Sequence, residues 1–204
     1  MSQARRPDLD ATLSAQLDDH RAVASEVGAL LPALIELTDR MCAAFAAGGR
    51  VYTFGNGGSA ADAQHLAAEL IGRYLRDRRP LPAVALTVDP SVLTCIANDY
   101  VFDEVFARQV EALATPADLV IGFTTSGRSP NVIAGLAAGR RNGSTTVLFS
   151  AGDGGPASEH ADIALLVPSS VTARIQEMHL LLLHLLSEGV DTWAAGKSSP
   201  ATAQ

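Results

Sequence analysis

The chain reads as an α/β protein built on a doubly wound parallel sheet, three layers deep, with a long helical arm in front of it. Two patterns and a size carry that reading. Five short apolar runs, at 51–54, 83–88, 119–123, 145–149 and 163–167, alternate with stretches of helical character, as in βαβ units whose sheet is covered on both faces. Ahead of them, from Asp8 to Gly49, apolar residues recur at helical spacing. At 204 residues, 48% of them hydrophobic, the chain suits one well-buried domain.

Leu13, Leu17, Val23, Val27, Leu30, Leu31, Leu34, Ile35 and Met41 mark the apolar stripe of the leading segment, which Gly48 and Gly49 end. The spacing predicts one long helix or two. Sheet packing leaves such a stripe over, and a partner subunit is its natural acceptor. Between and after the strands, helices are predicted over residues 59–74, 91–98, 102–113, 130–142 and 156–160, with a closing helix over 173–195. The chain is expected to divide into a helical arm for oligomerisation (1–50), an α/β ligand-binding domain (51–196) and a flexible tail (197–204). No internal repeat and no linker interrupts it.

Composition removes several kinds of function. A net charge of −7 argues against a nucleic-acid surface, which needs clustered Lys and Arg. Lys197 is the sole lysine, so neither a pocket Schiff base nor a Walker-type loop has its residue. Cys42 and Cys95 form no metal-spaced pair, and their neighbours suggest two buried thiols in a reducing compartment. The N-terminus lacks an apolar core segment and no later run approaches bilayer-spanning length. A cytoplasmic protein without membrane contact is expected.

In a sheet of this kind ligands sit beyond the carboxyl ends of the strands. The first strand runs into Gly55-Asn56-Gly57-Gly58-Ser59 and then an Ala-rich helix. Glycine-lined amides and an N-cap hydroxyl from Ser59 can there face an anion. The third strand ends in Thr124-Thr125-Ser126-Gly127-Arg128-Ser129-Pro130, with Pro130 suited to the first turn of a helix. One hydroxyl suffices to cap, so Thr124, Thr125, Ser126 and Ser129 together read as a cradle for phosphate oxygens. Neutral donors and the helix dipole must carry most of that recognition, with Arg73 or Arg128 as candidate helpers.

His65 and Glu69, four apart on the helix after the first loop, share a face. The closing helix carries Gln176, Glu177, His179 and His184 among Ile, Met and Leu, where polar groups must find partners. His, carboxylate and amide oxygen suit zinc, so His65, Glu69, Gln176 and His184 make a chemically sensible four-ligand set. On a straight helix the Cα atoms of Gln176 and His184 lie roughly 12 Å apart. Either their side chains converge at full stretch or a neighbouring subunit contributes.

The segments GNGGSAADAQHLAAEL, ANDYVFDEVF, TTSGRSPNVI and TARIQEMHLLLLH resemble the sugar isomerase (SIS) superfamily, and within it the phosphoheptose isomerases, over nearly the whole chain. The resemblance implies a flavodoxin-like SIS domain. It also implies interconversion of sedoheptulose 7-phosphate and D-glycero-D-manno-heptose 7-phosphate, feeding nucleotide-heptose biosynthesis, in homotetramers with sites at subunit interfaces and one zinc per site. Carried over, substrate contacts fall on Asn56, Gly57, Gly58, Ser59, Glu69, Asn98, Asp99, Thr124, Thr125, Ser126, Ser129 and Gln176. The metal falls on His65, Glu69, Gln176 and His184. Aldose–ketose exchange through an enediol needs a carbon base and an oxygen acid, roles the resemblance gives to Glu69 and His184. Thr124 stands where many relatives carry Ser, which keeps a hydroxyl. Arg128 stands where Asn is common, which bears on sugar specificity.

Two other readings compete. A scaffold that binds the bacterial replication initiator shares much of this signature, but that family lacks the counterparts of Glu69 and His184. Other SIS chemistries, hexose phosphate isomerisation or loss of a lactyl ether, do not generally join His65-x3-Glu69 to Gln176-x7-His184.

Overall fold

The computed structural model describes residues 8–197. In chain order the elements are α1 (Leu9–Glu26), α2 (Leu31–Ala46), β1 (Val51–Gly55), α3 (Gly58–Ile71), β2 (Ala83–Ala85), α4 (Pro90–Asp99), α5 (Ala107–Leu113), β3 (Leu119–Phe123), α6 (Pro130–Arg141), β4 (Thr145–Ala151), β5 (Ile163–Val167) and α7 (Thr172–Lys197). The five strands pair in the order β2-β1-β3-β4-β5, every neighbour parallel. The order reverses direction between β1 and β3, and the crevice at such a switch point is where open α/β sheets bind ligands.

Successive strand residues point to opposite faces, so the sheet has two cores. Val51, Leu119, Ile121, Phe123, Val147 and Phe149 face a layer formed by α2, α3 and α7, with Leu37, Met41, Leu66, Leu70, Met178 and Leu182 at 0–1% exposure. Tyr52, Phe54, Val120 and Leu148 face the other layer, where Val110 of α5 and Val132 and Leu136 of α6 pack. The strands are covered on both sides, which is why they read as continuous apolar runs.

The leading segment is two helices joined by a 3-10 turn, Val27–Leu30. Pro32 sits in the first turn of α2, where its missing N–H costs nothing. The run expected as a strand over 83–88 pairs only through Ala85. One further bond, from the Leu86 amide to the Thr53 carbonyl, ends the ladder, and Asp89 then caps α4 at the Ser91 and Val92 amides. The helix expected over 102–113 is a 3-10 turn, Phe102–Glu104, followed by α5. The one expected over 156–160 is also 3-10, Gly155–His160.

Cys42 is buried as expected, whereas Cys95 is exposed on α4: the helix turns it outward, where its thiol donates to Asp99 at 3.5 Å. Lys197 closes α7, and the rest of the expected tail lies outside the described residues. Among those residues no helix is long and apolar enough to cross a membrane.

Candidate active site

At the carboxyl ends of β1 and β3, across the switch point, Asn56, Ser59, Phe123, Thr124, Thr125, Ser129 and Gln176 line a cavity of about 120 Å³. No charged side chain lines it. Ser59 is not the helix cap: Gly57 holds that position and Ser59 is buried in the first turn of α3, so its hydroxyl serves the cavity. Ser129 is the N-cap residue of α6, yet its hydroxyl makes no cap bond and lies 3.4 Å from that of Thr124. Ser126 is exposed and accepts from the Arg128 amide. Neither Arg73 nor Arg128 lines the cavity.

Two contacts shape these loops. Asn56 and Asn131 exchange amide hydrogen bonds, 2.8 and 2.9 Å, tying the end of β1 to the first turn of α6. In the sequence Asn131, following Pro130, looks like any polar first-turn residue. Gly127 has φ +63° and packs on the loop after β4, where a Cβ would lie 1.9 Å from the Gly154 carbonyl oxygen.

Helices α3 and α7 lie side by side. A Cβ on Gly58 would meet the Gln176 amide nitrogen at 2.4 Å, so only glycine allows that approach. Further along, the His184 and His65 Nε2 atoms are 3.3 Å apart. With Gln176 opposite Gly58 and His184 opposite His65, the helices run parallel, and Gln176 belongs to the cavity end of their shared face. His65 Nε2 also lies 3.0 Å from Glu69 Oε1. Ligand atoms of His65, Glu69 and His184 all fall within 4.8 Å of one another. Tyr74, which follows α3, stacks on His184 with ring centroids 5.6 Å apart.

The donor set fits a zinc ion. Two imidazole nitrogens facing at 3.3 Å need a proton or a cation between them, and nitrogens bound to one tetrahedral zinc at the usual ~2.0–2.1 Å lie about 3.3 Å apart.

Asn98 and Asp99, at the exposed end of α4, bond to each other at 2.8 Å and are not among the residues lining the cavity. His179 is a fully buried core residue between Phe123 and Phe149, its Nε2 3.1 Å from the Ser150 carbonyl oxygen. Burial holds it down to about 4 from 6.5, against the opposing pull of that carbonyl. Glu177 pairs with Arg174 and with His20 of α1. A larger hollow, about 460 Å³, lies between α1 and α7 beside Leu13, Leu17, His20 and Arg174; it holds none of the residues expected to do chemistry.

The chain matches the SIS domain family over residues 17–150. A phosphoheptose isomerase of Paramagnetospirillum magneticum is 49% identical over 184 residues, 90% of this chain and 96% of the relative. The structure of a phosphoheptose isomerase from Neisseria gonorrhoeae is similar at TM-score 0.85 and 38% identity, covering 90% of this chain and 99% of that one. One from Francisella tularensis is similar at 0.88 and 33%, covering 92% and 100%.

Proposed function

The chain belongs to the phosphoheptose isomerase family of SIS-domain proteins, and from that membership we propose that it interconverts sedoheptulose 7-phosphate and D-glycero-D-manno-heptose 7-phosphate for heptose biosynthesis. The observation that carries this reading is the two-ended face of α3 and α7. A neutral hydroxyl and amide cavity occupies one end, and two imidazoles and a carboxylate converge at the other. The seven residues from Gly58 to His65 put these ends about 10 Å apart, a span suited to an open-chain sugar with a terminal phosphate.

The phosphate is held by Ser59, Thr124, Thr125 and Ser129, with Asn56, the Gly57 and Gly58 amides and Gln176 beside them and Ser126 at the rim. Glu69 takes a proton from C1 and returns it to C2. His184 moves the hydroxyl proton from O1 to O2 in the same passage, so the enediol forms and collapses without net charge transfer. His65, Glu69 and His184 would hold zinc, which when bound would supply Lewis-acid polarisation of the carbonyl; Gln176, the fourth residue of the expected set, lies at the cavity end of the shared face. Binding energy from the distal phosphate contributes to lowering the barrier at the reacting carbons.

The enzyme is cytoplasmic and homotetrameric, with sites completed at subunit boundaries. Asn98 and Asp99 do not line the cavity within one chain, and their place at the sugar rests on the resemblance alone. The scaffold reading is not favoured, since the acid–base pair is present and the relatives are isomerases by name.

The test is incubation of zinc-replete protein with sedoheptulose 7-phosphate in deuterated water, followed by carbon NMR. An aldoheptose phosphate carrying deuterium is expected. Glu69→Gln and His184→Gln should each lower turnover on the order of a hundredfold or more with zinc content measured alongside. A parent protein that neither makes the aldose nor exchanges the C1 proton refutes the function. A zinc-loaded Glu69→Gln variant exchanging at the parent rate removes Glu69 as the base.

A further inference from the structure

Asp191 lies on α7 seven residues beyond His184, fully buried. One of its carboxylate oxygens accepts from the Leu75 and Arg76 amides at 3.1 and 2.6 Å. The other accepts from Arg78 Nε at 2.7 Å, an ion pair with side chains 0% and 1% exposed. The rest of that guanidinium caps α3: its terminal nitrogens donate to the carbonyls of Glu69 (2.7 Å), Leu70 (2.8 Å) and Gly72 (3.3 Å), and to that of Arg79 (3.0 Å). Tyr74 sits inside the loop that this pair fixes, and its ring stacks on His184 at 27°.

The contacts form a closed circuit. It runs from the Glu69 backbone through Arg78 to Asp191, back along α7 to His184, and across the Tyr74 ring to the loop that Asp191 holds. A buried ion pair is weak evidence for stability, because hydrophobic residues of similar volume often replace one without loss. Aliphatic side chains of similar size could fill this volume, but they could not grip the Glu69 carbonyl and the loop amides together. We propose that Arg78 and Asp191 are positioning residues, which set the mutual placement of Glu69 and His184 and hold Tyr74 as the plate that fixes the His184 ring plane. The inference rests on the roles proposed above for Glu69 and His184.

The test compares the parent with Arg78→Met, Asp191→Leu, their combination, Arg78→Lys and Tyr74→Leu. Three readouts are taken: the thermal midpoint, the His184 ring-proton NMR signals, and kcat and KM for sedoheptulose 7-phosphate. Each single change leaves a partner charge buried and lowers the midpoint, so the double variant carries the test. The double variant, with no charge left to strand, is expected to recover most of the midpoint. It should nevertheless lose the ring-current shift of His184, as Tyr74→Leu does, and turn over at least tenfold more slowly with KM changed less than threefold. Arg78→Lys, which keeps the charge but not the fork, should fall between. A double variant with parental His184 signals, or with kcat restored along with the midpoint, overturns the proposal. If the parent itself fails to isomerise the sugar, the functional reading fails, and the His184 signals still decide whether the pair positions the ring.

Discussion

Gly58 offers a way to remove Gln176 from the cavity without touching Gln176. In Gly58→Ala the new Cβ would stand 2.4, 2.8 and 2.9 Å from the nitrogen, carbon and oxygen of the Gln176 amide, about 1 Å inside ordinary contact. The Gly58 φ is not positive, and the amide is the far end of a flexible side chain, so relief comes from swinging Gln176 away. Stability should barely change: alanine in place of helical glycine gains at most ~1 kcal/mol, offset by the displaced contact, and about 1 kcal/mol moves the midpoint of a chain this size by roughly 2–4 °C. Binding should change far more. A hydrogen bond to a charged group contributes about 1.5–3 kcal/mol, a factor of roughly 10 to 150. Calorimetric titration with the substrate and with inorganic phosphate, beside thermal melts, measures both quantities. If the effect runs through the displaced amide, Gly58→Ala on a Gln176→Ala background should weaken binding no further. Parental affinity in the single variant, or additive losses in the double, refutes the reasoning.

The same substitution at Gly127 should behave oppositely. Its Cβ would meet backbone at 1.9 Å from a residue at φ +63°, so Gly127→Ala should lower stability by more than ~2 kcal/mol in the same melts. Acid should unmask His179, whose depressed value means that the folded state refuses a proton the unfolded chain accepts. The stability it contributes is whole above pH 6.5 and lost as pH falls toward 4, about 3 kcal/mol in all. Asp62, raised from 3.8 to about 6 chiefly by burial, runs the other way, adding stability as pH falls through that range. Denaturant melts of the parent and His179→Gln at pH 7 and pH 4 isolate the histidine; parallel losses in both would remove it as the cause. The exposed Leu13 and Leu17 on α1 and Leu180, Leu181 and Leu185 on α7 should be covered in a homotetramer. Light scattering is expected to give four times the 21.2 kDa chain mass, and a monomer retaining full turnover would sink the shared-site arrangement.

Local pattern explains why so much of the molecule was readable. The strands announce themselves because both faces are buried, and His65 and Glu69 share a face by spacing alone. Thr124, Thr125 and Ser129 gather because a strand end and a helix start confine them to one cavity, whereas Ser126, at the apex of the loop, faces out. What escaped depends on partners distant in sequence. Asn131 matters through Asn56, 75 residues away; Arg78 matters through Asp191, 113 residues away; and Tyr74, expected inside a helix, reaches His184 because α3 stops at Gly72. Helix phase decides whether a thiol such as Cys95 faces out, and at Ser59 a shift of two residues in the cap position, to Gly57, turned an expected cap into a cavity wall.

An anion site lined only by uncharged groups behaves differently from one built on arginine or lysine. Rotatable hydroxyls accept as well as donate, so they can meet a phosphate ester in either ionisation state near its second pKa of about 6, where a guanidinium could only donate. On a chain of net charge −7, such a cavity also offers no long-range pull on a dianion. In the metal-free protein association should therefore proceed without electrostatic acceleration, and added salt, which screens the repulsion, should quicken capture of the sugar phosphate or leave it unchanged.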